Sequence, residues 1–204
     1  VRADEQAVAP YLGDGVTLAN LNSPSQTVLS GSPERLTKVA ADIGATFATK
    51  MLPVATAFHS PIVAAATEDV RSDLQGVVCN SANGTVWSCK DVSPYTEGAV
   101  VDTVAESIAA PVRFAATIEA MFDAGVRTFV EVGPGNILTS LVGANLKGRP
   151  HHAVALGKSG KHGWLALCES LGELFIAGLD LRAALERLDD AWQLRRIADL
   201  ADHP

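Results

Sequence analysis

One short segment constrains the fold more than any other. It is an apolar run, residues 127–132 (RTFVEV), followed at once by Gly133-Pro134-Gly135 and then by a helical pattern over residues 136–146. An apolar run of this length is typical of a strand buried on both faces of a parallel sheet. Strand, turn and helix in this order predict a layered α/β fold. A second short run, residues 153–156, predicts a further strand.

The first 55 residues follow a different order. Helical patterns cover residues 4–11 and 33–43, and the second helix is predicted to begin with Ser32 as N-cap and Pro33 in its first turn. Short apolar runs predict three strands, at residues 16–20, 26–30 and 47–54. This order is that of a ferredoxin-like split βαβ fold without its first strand. Because that strand lies inside the sheet, we expect preceding residues to complete it.

The other elements follow from the same kinds of pattern. A helix is predicted over residues 61–73, directly after His59 and Ser60. A hairpin is expected over residues 77–87, around the turn sequence Ser81-Ala82-Asn83-Gly84. Further helices are predicted at residues 100–108, 112–124, 163–176 and 182–200.

Composition excludes several classes of function. The 204 residues are 48% hydrophobic and 19% charged, which is enough apolar material for a packed core. The net charge of −7 argues against a nucleic-acid surface and against a polybasic membrane contact. No apolar run approaches the roughly 20 residues of a membrane span. Three cysteines without a CxxC pattern exclude a disulfide scaffold and the usual zinc sites, so we expect thiols in a reducing cytoplasm and no metal.

His59 is the side chain that stands out as a candidate for chemistry. It lies between the predicted strand 47–54 and the predicted helix 61–73, a position that presents side chains at the edge of a crevice. Ser60 is expected to cap that helix rather than to act as a nucleophile, and no G-x-S-x-G elbow occurs in the sequence. Residue patterns alone therefore leave both a structural and a catalytic role open for His59. The sequence Gly157-Lys158-Ser159 lacks the upstream glycine of a phosphate-binding loop.

Four segments taken together resemble a known family. They are residues 16–31 (VTLANLNSPSQTVLSG), 52–61 (LPVATAFHSP), 110–114 (APVRF) and 129–138 (FVEVGPGNIL). In this order they resemble the acyltransferase domain of polyketide and fatty acid synthases, the malonyl-CoA:acyl-carrier-protein transacylase family. The resemblance covers about residues 1–157. The remainder resembles the linker that follows the acyltransferase in multidomain type I synthases, with the iterative enediyne and polyunsaturated fatty acid kinds nearest.

The resemblance implies an α/β-hydrolase-like core interrupted by a ferredoxin-like small subdomain. The chain would then be the C-terminal portion of the domain. Residues 1–55 would form the incomplete small subdomain, residues 56–156 the returning part of the core, and residues 157–204 the linker. The nucleophilic serine, the arginine that binds the malonyl carboxylate and the oxyanion-hole amides are expected on an N-terminal part of the same domain.

The resemblance also implies a mechanism and site residues. The counterpart of His59 is the base that activates the serine, which takes malonyl from malonyl-CoA and passes it to the phosphopantetheine thiol of an acyl carrier protein. No bound cofactor is implied. The backbone carbonyl that orients His59 is assigned to Ser107, by counting back from the APV sequence at residues 110–112. Phe58 is expected to select malonyl over methylmalonyl, and Asn20 and Asn22 to line the lip of the cleft.

Each of these assignments has an alternative. Phe58 could serve only core packing, and Asn20 and Asn22 could only close their turn. For the chain as a whole, the alternative is a non-catalytic segment that positions the neighbouring domains of a synthase.

Overall fold

The computed structural model describes residues 1–157, 160 and 162–182. The chain divides into two compact units. The first comprises residues 1–127 and 140–150, and the second comprises residues 128–139 and the described residues from 151 onward. No helix among the described residues combines the length and the apolar character needed to cross a membrane.

The first unit begins with a short helix, α1 (Glu5–Val8), and a 3-10 turn, Ala9–Tyr11. Strands β1 (Thr17–Ser23) and β2 (Gln26–Ser30) form an antiparallel hairpin. Helix α2 (Pro33–Gly44) follows, and the Ser32 hydroxyl accepts the Arg35 N–H at its start, which confirms the predicted cap. These elements pack around the fully buried Val8 and Ile43. Burial of such a side chain contributes roughly 1.5–3 kcal/mol, so this cluster holds the start of the chain against the hairpin.

The predicted strand at residues 47–54 does not form. Phe47 packs against the Ile43 cluster, and the Ala48 carbonyl accepts the Arg2 N–H, but the segment then leaves the core. Met51, Leu52 and Val54 are exposed, and Pro53 has no N–H to donate to a ladder. In the described part of the chain, the sheet of the first 55 residues therefore consists of β1 and β2 alone.

The first unit continues with a 3-10 turn, Pro61–Val63, and helix α3 (Ala66–Asp73), which together replace the single predicted helix. The predicted hairpin over residues 77–87 is wrong. The observed hairpin lies later, with β3 (Trp87–Ser88) antiparallel to β4 (Ser93–Pro94), and Val92 takes a positive φ of 57° in its turn. Helices α4 (Val100–Ser107) and α5 (Phe114–Asp123) follow close to their predicted bounds.

The second unit contains the predicted parallel strands. β5 (Thr128–Glu131) pairs in parallel with β6 (His152–Ala155). Between these strands in the sequence lies helix α6 (Ile137–Asn145), which begins in the second unit and continues into residues of the first. Helix α7 (Gly163–Ile176) has the predicted bounds, and its Ser170 hydroxyl donates to the Ala155 carbonyl over 2.7 Å. The strand–turn–helix prediction is thus confirmed. The predicted helix at residues 182–200 lies almost entirely outside the described residues.

Candidate active site

The backbone around His59 is unusual. His59 has a φ of 57°, in the left-handed region that non-glycine residues rarely adopt. Its N–H donates to the Ile108 carbonyl over 2.8 Å, and the next residue, Ser60, is buried and accepts the Ile62 N–H at the start of the 3-10 turn. A left-handed non-glycine residue costs roughly 1–3 kcal/mol and persists where its surroundings fix it. The predicted cap at Ser60 is confirmed, whereas no strand precedes His59.

The imidazole of His59 is held by two backbone carbonyls. Its Nδ1 lies 2.9 Å from the Ser107 oxygen and 3.1 Å from the Ala110 oxygen. Carbonyl oxygens can only accept, so Nδ1 must carry the proton and donate it. In the neutral ring, Nε2 then holds the lone pair that can accept a proton from another group. The ring is half-buried, so it is not enclosed in the core.

The two acceptors belong to one turn, residues 107–112, which connects α4 to α5. The Ser107 hydroxyl donates to the Thr103 carbonyl over 2.6 Å, within α4. The Ser107 carbonyl lies at the C-terminal end of α4, where carbonyls have no intrahelical partner, and it accepts from His59. At the other end of the turn, Val112 exchanges backbone hydrogen bonds with Ala19 and Leu21 of β1, at 2.8 and 2.9 Å. The turn whose carbonyls orient the imidazole is therefore fixed at one end to α4 and at the other end to the β1–β2 hairpin.

A cavity of about 260 Å³ lies beside this turn. It is lined by both polar and aromatic side chains, together with the turn itself: His59, Ser107, Trp87, Tyr95, Lys90 and Cys89. Among the described residues, no group of three or more histidine, cysteine or acidic side chains could hold a metal ion. The cavity therefore offers an imidazole, a cation and apolar walls.

Phe58 lies next to the candidate base but outside the core. Its side chain is 54% exposed, and its ring centroid is 6.5 Å from that of His59, with an angle of 50° between the rings. Within the described part of the chain, no core encloses this ring, and the alternative of core packing in the complete domain stays open. Its role in selectivity stays a prediction.

Asn20 and Asn22 lie on β1, and both are half-buried. Asn20 forms a backbone bridge with Val112, at the end of the turn that holds His59. The Asn22 amide donates to Gln26 over 2.8 Å, and the Asn22 carbonyl accepts from Asn145 over 2.9 Å. Asn22 thus helps to close its hairpin, while Asn20 lies beside the His59 turn. Contact with substrate stays a prediction for both.

Two groups at the site were not predicted from the sequence, the carbonyls of Ile108 and Ala110. Backbone carbonyls have no signature of their own in a sequence. The one signal was Pro111, because proline disfavours the helical conformation in the residue before it, here Ala110, and so indicates that the helix has ended by this point.

A family model described as "Acyl transferase domain" matches residues 2–178. The fold is that of α/β acyltransferase domains, and the chain belongs to the acyl transferase domain family.

The relatives that match this chain in sequence include a transacylase and a polyketide synthase. The malonyl CoA-acyl carrier protein transacylase of Bacillus subtilis (strain 168) is 36% identical over 134 residues, which are 64% of this chain and 42% of that protein. Polyketide synthase GfsB of Streptomyces halstedii is 33% identical over 189 residues, which are 88% of this chain and 3% of that protein.

Solved structures give the same result. The acyltransferase domain from the second module of the salinomycin polyketide synthase superposes with a TM-score of 0.81 at 26% identity, covering 88% of this chain and 43% of that domain. The acyltransferase domain of an iterative polyketide synthase in enediyne biosynthesis gives a TM-score of 0.72 at 29% identity, covering 87% of this chain and 44% of that domain. The chain therefore spans less than half the length of these acyltransferases.

Proposed function

We propose that this chain is part of an acyltransferase domain that moves malonyl from malonyl-CoA to the phosphopantetheine arm of an acyl carrier protein. The observation that carries the proposal is the imidazole of His59, whose Nδ1 is tied to the Ser107 and Ala110 carbonyls. This arrangement leaves Nε2 as a proton acceptor at a half-buried position. A transacylase relative at 36% identity supports the choice of malonyl-CoA as donor.

In this proposal the nucleophile is a serine contributed by sequence outside these 204 residues. His59 Nε2 accepts the hydroxyl proton while the serine oxygen attacks the thioester carbonyl of malonyl-CoA. When the tetrahedral intermediate collapses, the CoA thiolate leaves, and it accepts the proton from Nε2. The product of the first half-reaction is a malonyl ester on the serine.

The second half-reaction reverses these steps with a different thiol. The phosphopantetheine thiol gives its proton to Nε2 and attacks the ester carbonyl. The serine oxygen then leaves and recovers the proton from Nε2. Throughout, the two carbonyls face the imidazolium that forms after each proton transfer, and they supply the negative partial charge that a buried carboxylate supplies in many triads.

Phe58 is proposed to select malonyl in this domain. Its exposed ring stands next to His59, where the acyl group must lie if the base acts as described. A rigid ring there would occupy the space of a 2-methyl branch, and one methyl group in a packed pocket is worth roughly 1–3 kcal/mol of discrimination. Asn20 and Asn22 are proposed to border the same cleft.

For the organisation of the chain, we propose an incomplete ferredoxin-like subdomain at residues 1–55, the returning part of an α/β-hydrolase-like core at residues 56–156, and a linker at residues 157–204. The β1–β2 hairpin with α2 supports the first assignment, and the parallel β5–β6 pair supports the second. The proposed partners are the N-terminal part of the same domain, the carrier protein and the neighbouring synthase domains.

The test uses the complete domain that contains this chain. Intact-mass analysis after treatment with malonyl-CoA is expected to detect one malonyl ester, and added carrier protein is expected to discharge it. His59→Ala should slow loading by roughly 10²–10⁴-fold, the usual contribution of a general base. His152→Ala, which removes an exposed imidazole on β6, serves as the matched control and should load normally.

Unchanged loading in the His59→Ala variant would contradict the proposal. If the synthase then also formed its product at the normal rate, the chain would be a non-catalytic docking segment instead.

A further inference from the structure

We propose that Lys90 is a positioning residue for His59, acting through Glu106 on the carbonyl of Ser107. This inference rests on the proposed function, because it concerns the orientation of the same base. It extends that function to a side chain on the β3–β4 hairpin, whereas the imidazole itself is hydrogen-bonded to the Ser107 and Ala110 carbonyls.

The argument starts at the end of α4. Glu106 directly precedes Ser107, whose carbonyl oxygen accepts from His59 Nδ1. One carboxylate oxygen of Glu106 lies 3.1 Å from Lys90 Nζ, and the other lies 3.8 Å from an Arg71 nitrogen. Two cations from two different elements thus hold the residue next to the acceptor.

Arg71 fixes α4 at a second point. Its Nε donates to Asp102 over 2.7 Å, one turn before Glu106. It also pairs with Glu68 on its own helix, α3. Arg71 therefore fastens α4 to α3 along its length, whereas Lys90 is the cation that ties the last turn of α4 to the hairpin.

Lys90 is itself well anchored. Its Nζ lies 2.6 Å from Asp91, and Asp91 accepts from the buried hydroxyl of Ser88 over 3.1 Å. The Lys90 side chain is only 20% exposed, and it lines the same cavity as His59 and Ser107. The hydrogen bond to Asp91, and a weaker one to Glu106, raise the pKa of Lys90 against the opposing effect of burial, so the side chain is cationic at neutral pH.

The expected effect of Lys90 is geometric. The Lys90–Glu106 pair lies at the surface on its acidic side, since the Glu106 side chain is 48% exposed. Surface ion pairs contribute only about 0–1 kcal/mol to stability, so loss of this one should leave the fold intact. A catalytic group, in contrast, must be held within about 0.5 Å and 10–20° of its productive position. Without Lys90 the last turn of α4 loses its ion pair with the β3–β4 hairpin, while the Arg113 N–H still donates to the Cys89 carbonyl over 2.9 Å. We therefore expect the fold to persist and the Ser107 carbonyl to fix the tilt of the imidazole less closely.

The test compares Lys90→Met and Lys90→Arg in the complete domain. Lys90→Met keeps the length of the stem and removes the charge, and it should lower kcat for malonyl transfer about tenfold with KM unchanged, since misplacement of a catalytic group by about 1 Å can cost up to 10²-fold. Lys90→Arg should restore most of the rate. Arg35→Met is the matched control, because it breaks the Arg35–Asp14 pair on α2 and touches no residue of the 107–112 turn.

A second measurement, by NMR spectroscopy, reports on the orientation of His59 without requiring catalytic turnover. With ¹⁵N-labelled histidine, the Nδ1–H of His59 should give a hydrogen-bonded signal that exchanges slowly with water in the wild-type domain. This signal should broaden or disappear in Lys90→Met and return in Lys90→Arg. Glu106→Gln should reproduce the loss, and it carries the test should Lys90→Met fail to fold.

The two proposals fail in different ways. A wild-type domain that transfers no malonyl overturns the proposed function, while the histidine spectrum still reports on positioning. A Lys90→Met or Glu106→Gln domain that keeps both the Nδ1–H signal and the wild-type kcat overturns the role of Lys90 alone.

Discussion

His59 Nδ1 lies 2.9 Å from the carbonyl oxygen of Ser107, a residue 48 positions further along the chain. The side chain of Ser107 takes no part in this contact, because its hydroxyl donates to the Thr103 carbonyl within α4. The orientation of the imidazole therefore depends on where α4 ends and not on which side chain occupies position 107.

A first prediction follows for Ser107→Ala. The carbonyl stays in place, so malonyl transfer by the complete domain should stay within about threefold of wild type. Loss of the Thr103 hydrogen bond should lower the free energy of unfolding by about 0.5–1.5 kcal/mol. Steady-state transfer kinetics and urea unfolding measure the two effects. A drop in kcat of more than tenfold, at unchanged stability, would mean that the hydroxyl itself acts on His59.

The position of this site was predictable in part. The place of His59 before a helix start marked it as a candidate from the sequence alone. Its pairing with the Ser107 carbonyl followed only from the resemblance to the acyltransferase family, by counting back from the APV sequence at residues 110–112. The second acceptor, Ala110, was not predictable, because it depends on the path of the turn in space. The same is true of Lys90, since ion pairs between distant elements depend on the packing of α3, α4 and the hairpin.

The fold, too, was predictable from the sequence only in part. The parallel pair β5–β6 and helix α7 were predictable because their hydrophobic patterns are local and long enough. The strand at residues 47–54 was predicted from apolar residues alone, and it fails because a strand also needs a pairing partner. The hairpin turn was misplaced because Val92 takes a positive φ, which a β-branched residue adopts only under tertiary constraint.

A second prediction concerns Phe58→Ser. Because the Phe58 side chain is 54% exposed, its removal should change the free energy of unfolding by less than about 1 kcal/mol. It should open space for a 2-methyl branch and raise the kcat/KM ratio of methylmalonyl-CoA to malonyl-CoA by about 10–200-fold. Loading from an equimolar mixture of the two thioesters, read by intact mass, measures this ratio. Phe47→Leu, which alters an aromatic residue of the Ile43 cluster, is the control and should leave the ratio unchanged. An unchanged ratio in Phe58→Ser would remove Phe58 from selectivity.

A third prediction concerns the pH dependence of stability at the start of α6. Burial acts to raise the pKa of the Glu131 carboxyl, but hydrogen bonds from the Thr139 N–H and hydroxyl, both 2.7 Å long, and from the Leu138 and Ile137 amides outweigh it. The net result is a pKa below the ordinary value of 4.5.

The sign of the effect follows from linkage. Since the folded state binds the proton less tightly than the unfolded chain, Glu131 stabilises the fold fully above pH 4.5, and this contribution is lost as the pH falls below that value through the folded pKa. Glu131→Gln should therefore lower the free energy of unfolding by about 1 kcal/mol near neutral pH, and the gap to wild type should close under acid conditions. Urea unfolding at several pH values measures the gap, with the exposed Glu119→Gln on α5 as control. A gap that stays constant with pH would mean that the glutamate acts through its shape and not through its charge.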